Sequence, residues 1–146
     1  MHKVIPTILF LIISYGAFSQ KQLTWEDFAD VKFSNVYSPV YDDIFLKPKF
    51  GDGIKSYEGR RIRIKGYFLD FSLEDDEFFL LSKNPRASCF FCGGAGPESV
   101  LEVMFTKKAN FKTDQLVEIT GVLILNLDDV DHCNYIIKDA TGKLIQ

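Results

Sequence analysis

The sequence predicts an all-β protein: a small, partly open OB-like barrel of about five strands, preceded by a short irregular or helical N-terminal arm. Three observations carry that prediction. Beyond residue 60, five stretches have the apolar and polar patterning of strands, clearest where the residues alternate with a period of two. Turn-forming segments separate these stretches. Gly66 and Gly121 fall at matching places in "IRIKGYFL" and "VEITGVLI", where a glycine inside a strand marks a bulge or a sharp bend. Five strands with such bends suit a small barrel.

Taken in order, the first segment is "MHKVIPTILFLIISYGAFSQ". Lys3, the apolar run from Val4 to Ile13, and the small residues Ala17 and Ser19 have the layout of a secretory signal peptide over 1–19, cleaved after Ser19. The run is shorter than the roughly 20 residues that a membrane-spanning helix needs. An exported, periplasmic or extracellular protein without an integral membrane anchor is therefore expected. No cysteine lies near the cut, so lipid attachment there is not expected.

Residues 20–59 read as the arm, packing Trp25, Phe28, Tyr37 and Phe45 on a core made elsewhere. Thr24 followed by Asp27 resembles a capping box and predicts a short helix over 25–29. The prolines and glycines of "SPVYDD" and "KPKFGDG" are spaced too closely for long elements. Residues 60–146 read as the barrel. In "RRIRIKGYFLDF", Ile62, Ile64 and Phe68 share one face, and Arg61, Arg63 and Lys65 share the other. "EFFLLS", "SVLEVMF", "QLVEITGVLILN" and "NYIIKDA" supply the remaining strands, and Pro97 suits a single helical turn before the third. The "TKKANFKTD" stretch is too short and charged for the helix usual between the third and fourth strands of an OB barrel.

Charge and residue counts exclude several function classes. The chain has a net charge of −3, and loss of Lys3 makes it more acidic. An acidic exported protein lacks the basic groove that nucleic acid binding requires, so no nucleic acid partner is expected. Of two histidines only His132 remains after removal of the signal. A histidine-based hydrolase would have to use that residue, and a zinc centre with several histidines is excluded. The acids of "SLEDDE" and "NLDDVDH" fall in expected hairpin turns, and neither stretch matches a glycine-centred calcium loop.

The unusual chemistry lies in "CFFCGGAGPES", residues 89–99. Cys89 and Cys92 have the spacing of half a tetrahedral zinc site, and the candidates to complete it are His132 and Cys133. Adjacent residues on an extended chain point to opposite sides, so one of the two would join more readily than both. The same pair also suits thiol-disulfide chemistry in an oxidising compartment, with Arg86 nearby to favour a thiolate. A third reading is structural, with a disulfide or two buried thiols anchoring a corner of a protein-interaction domain. Three cysteines leave at least one free or paired to another chain. The glycines lack the lysine and hydroxyl residue of a phosphate loop. Glu98 within this segment and Glu102 just after it are the acids near the cysteine pair.

Together with "YEGRRIRIKGYFL" and "LVEITGVLILNLDDVDHCNYIIKDA", the segment "LSKNPRASCFFCGGAGPESVLEV" resembles a group of small, uncharacterised exported proteins of Gram-negative bacteria. The likeness runs from about Lys47 to Ala140 and implies the barrel and export. More remotely, "GRRIRIKGYF" followed by a cysteine loop is similar to periplasmic lipoproteins found alongside zinc-responsive membrane transporters. That likeness implies a metal-linked role falling on Cys89 and Cys92, although this chain lacks their lipid-bearing cysteine and proline-rich stretch. The combined expectation is a non-catalytic binding or accessory protein. Its ligand would be zinc or a similar divalent metal held by Cys89, Cys92, His132 and Cys133, and any protein partner is unspecified.

Overall fold

The computed structural model describes residues 20–74 and 76–145. The signal peptide expected over 1–19 lies outside the described residues. Among those described, no helix is long and apolar enough to cross a membrane.

The arm begins with β1 (Lys21–Gln22) and the single turn α1 (Trp25–Phe28). Asp27 starts that turn as the sequence predicts: its carboxylate accepts hydrogen bonds from the Thr24 backbone N–H at 2.7 Å and hydroxyl at 3.2 Å. Phe28 is thereby driven fully into the core, and Trp25 packs against it. The next part is more regular than the proline spacing suggests. β2 (Val31–Ser38) and β3 (Asp43–Phe50) form an eight-residue antiparallel ribbon, and α2 (Asp52–Lys55) follows. Pro48 is accommodated because a two-stranded ribbon leaves one edge of each strand unpaired.

Only the base of this ribbon, at Val31, Pro48 and Phe50, reaches the core. Tyr37 was expected to pack inward with Trp25 and Phe28, but it is exposed. The Tyr37 to Ile44 pairing places both on the distal half of the ribbon, beyond the reach of the core. Phe45 is half-buried.

The barrel comprises β4 (Arg61–Asp70), β5 (Phe79–Ser82), β6 (Val100–Phe105), β7 (Leu116–Leu125) and β8 (Tyr135–Leu144). Its circuit is β4-β5-β6-β8-β7 and back to β4, with β6 and β8 parallel and the other pairs antiparallel. This is the strand order of an OB barrel. β4 closes it by serving two partners: residues 61–67 pair with β7, and residues 67–70 pair with β5. The transfer occurs immediately after Gly66. At the second bend, the β7–β8 register shifts between Thr120 and Val122, around Gly121. Strand β1 adds to β4 outside the closed circuit.

Ile62, Ile64 and Phe68 fill the interior with residues from the facing strands. The segment between β6 and β7 contains no helix, and its Phe111 packs on Phe68 and Phe105 instead. A second, small apolar cluster of Leu69, Leu80 and Cys89 lies apart from the main core. Leu69 and Leu80 directly follow or precede interior residues, so the period-two rule sends them to the outer face. The loop between β5 and β6 covers them there.

Candidate functional site

That covering loop, residues 83–99, is made of three 3-10 turns: Arg86–Ser88, Phe90–Cys92 and Pro97–Ser99. The last is the helical turn predicted at Pro97. Within the middle turn, Cys92 N–H donates to the Cys89 carbonyl at 3.1 Å, as does Gly94 N–H, also at 3.1 Å. Gly93 closes the turn with φ of 77°, a left-handed conformation that favours glycine. This local geometry brings the two sulfurs to 3.8 Å. Cys89 is fully buried against Leu69 and Leu80, whereas Cys92 is exposed.

All three cysteines are free thiols. The hydrogen bond with Cys89 raises the pKa of Cys92, and burial adds to the effect. Arg86, expected to favour a thiolate, opposes this only weakly. Its guanidinium lies 4.9 Å from the centre of the Phe71 ring, and its charge is the smallest contribution at Cys92. Burial pushes the Cys133 thiol up to about 12, with the Glu102 charge adding to the shift.

His132 and Cys133 lie in the loop between β7 and β8, and their side chains have different partners. Cys133 packs on the cluster containing Cys89. His132 turns to Glu102 on β6, donating from Nδ1–H to Oε1 at 2.8 Å, while Cys133 backbone N–H donates to Oε2 at 3.0 Å. Glu102 is 5% exposed and thus pins this corner with both oxygens. Its importance was hidden in the sequence because an acid at the polar phase of a strand ordinarily faces solvent.

The fold therefore brings together Cys89 and Cys92, and packs Cys133 against the apolar cluster that contains Cys89. His132 is paired with Glu102. Among the described residues, no group of three or more histidine, cysteine, aspartate and glutamate side chains is arranged to hold one ion.

The Glu102 hydrogen bond raises the His132 pKa above its ordinary 6.5, against the opposing effect of burial. The pair's contribution to stability is then fully present below about pH 6.5 and is lost as pH rises through the higher folded-state value. Metal-free protein should lose thermal stability on going from about pH 6 to about pH 9, and Glu102→Gln should flatten that part of the profile. Identical wild-type and variant profiles would show that the pair does not titrate as described.

Phe90 and Phe91, between the two cysteines, also form one wall of a cleft of about 460 Å³. The ribbon faces them through Val36 and Phe45, and residues 127–134 provide the floor and rim. The sequence offers no periodic sign of this cleft, because its walls come from three loops or hairpins far apart in the chain.

These features define an OB-type barrel carrying a dithiol turn on its outer face and a cleft beside it. No family model matches the chain, and no curated protein matches it. Among solved structures, the chain is similar to a DUF3299 family protein of Pseudomonas aeruginosa PAO1. The two share 13% sequence identity with a TM-score of 0.56, covering 88% of this chain and 97% of that one. At that identity the likeness shows the fold.

Proposed function

We propose that this is an exported, non-catalytic binding or accessory protein that takes zinc or a similar thiophilic divalent metal at Cys89 and Cys92. The supporting observation is the sulfur separation of 3.8 Å. Two ligands about 2.3 Å from one tetrahedral ion are about 3.8 Å apart, so the turn already has the spacing of one tetrahedral edge. Cys133 is a candidate for a third ligand, since it packs against the apolar cluster of Cys89, and it would have to turn toward the pair to share an ion. His132 would have to leave Glu102, or join through Nε2 while Glu102 holds Nδ1 in the manner of a supporting carboxylate. Binding at the pair releases the thiol protons, so affinity rises with pH.

The test is the intact mass of reduced, zinc-loaded protein under native and denaturing conditions. A mass excess of one zinc in the native spectrum alone, lost in Cys92→Ser, is expected. No zinc uptake by the reduced protein overturns the proposal.

A second reading is favoured by one feature, the exposed Cys92 backed by a buried Cys89. Cys92 thiolate would attack a partner disulfide to form a mixed disulfide, and Cys89 thiolate would then displace the partner sulfur. The two thiols lose two electrons and two protons, and the partner is reduced to a dithiol. This reading predicts that the oxidised form, two hydrogens lighter with only Cys133 open to alkylation after denaturation, returns readily to the dithiol on mild reduction.

A further inference from the structure

We propose that the cleft between the β2–β3 ribbon and the barrel binds a small apolar molecule carrying a cationic head group. This goes beyond the metal reading and does not depend on it. The volume, about 460 Å³, lies within the range of roughly 300–1,000 Å³ usual for small-molecule sites. Val36 and Phe45 on the ribbon, Phe90 and Phe91 on the cysteine loop, and Leu127 and Val130 beyond β7 give it apolar walls. Several remain open to solvent, with Val36 at 41% and Phe91 at 52% exposure. Apolar surface held apart in this way, from three separate elements, gains free energy when a ligand displaces water from it.

Charge selects the ligand class. Three aspartates, Asp128, Asp129 and Asp131, line the cleft. Lys47 neutralises the first, with Nζ 2.8 Å from its carboxylate. His132, which also lines the cleft, pairs with Glu102, and Asp129 and Asp131 add more weakly to the negative field on its ring. Asp129 accepts only the backbone N–H of Asp131, at 3.1 Å, and neither Asp129 nor Asp131 has an ion-pair partner among the described residues. The cleft thus combines apolar walls with an excess of carboxylates, two of them without an ion-pair partner among the described residues, complementary to an ammonium or guanidinium group on an apolar body. An anion of the same size meets the opposite field.

The experiment uses two fluorescent probes with one apolar ring system and opposite charge, dansylcadaverine and dansylglycine. Each is titrated into the mature protein with a chelator present, so that metal binding plays no part. Saturable, blue-shifted emission is expected for the cationic probe. It should bind up to roughly tenfold more tightly than the anionic one, since each exposed carboxylate contributes about threefold. The double substitution Asp129→Asn and Asp131→Asn should abolish that preference while retaining the Asp129 side-chain acceptor. Val130→Ser, at an exposed position, should weaken both probes. Equal binding of the two probes, or a cation preference that survives the double substitution, overturns the proposal. So does unchanged binding of both probes to Val130→Ser.

Discussion

Tyr135→Ala is expected to lower the free energy of unfolding by roughly 4 kcal/mol, within the range for removing a large buried side chain. Tyr135 is the largest fully buried side chain among the described residues. Its ring meets Phe28 edge-on at 5.0 Å and packs on Phe50 at 5.2 Å, and its hydroxyl donates to the Phe28 carbonyl at 2.7 Å. It therefore joins the final barrel strand to α1 and to the base of the ribbon. Truncation leaves a cavity and also strands the Phe28 carbonyl. Tyr135→Phe separates these effects: it keeps the ring and removes the hydrogen bond, at an expected cost of about 1–2 kcal/mol. Urea unfolding of both variants at unchanged slope would measure the difference. A Tyr135→Ala loss no larger than that of Tyr135→Phe would contradict this account of the junction.

Gly121→Ala is the second large effect, with an expected loss of about 3 kcal/mol from overpacking. A Cβ there would lie 2.6 Å from the Lys138 carbonyl oxygen, as well as 2.4 Å from Ile137 Cγ2. The carbonyl belongs to the paired strand β8, so relief requires the β7–β8 bend to open. Gly142→Ala provides a contrast at another site on the same pair of strands. Its nearest contacts, at 2.7 and 2.8 Å, are the side-chain ends of Phe111 and Ile119, which can shift by rotation. Gly121→Ala should thus cost more than Gly142→Ala in parallel unfolding experiments. The reverse order would indicate that β8 yields more easily than the Phe111 side chain.

Much of the barrel is legible in the chain because alternation is a local property. Ile62, Ile64 and Phe68 identify the interior face of β4 without knowledge of any partner, and all three are buried. The matching glycines similarly locate the two bends, since close backbone approach constrains residue type directly. The ribbon is less legible. Pro39 and Pro48 read as interruptions, yet one lies beyond β2 and the other sits in a strand with an open edge. The aromatic character of Tyr37 predicts an inward side chain, whereas cross-strand register and distance from the barrel determine its exposure.

The all-β barrel, the inward face of β4 and the close spacing of Cys89 and Cys92 are written in short stretches of the chain. Each depends on backbone geometry over a few consecutive residues. The folded barrel is what shows that Glu102 holds His132 and the Cys133 backbone, that Cys133 packs with Cys89 in one apolar cluster, and that three distant segments enclose a cleft. Those relations depend on how the closed strand circuit brings loops together, and no local pattern of side chains encodes that proximity.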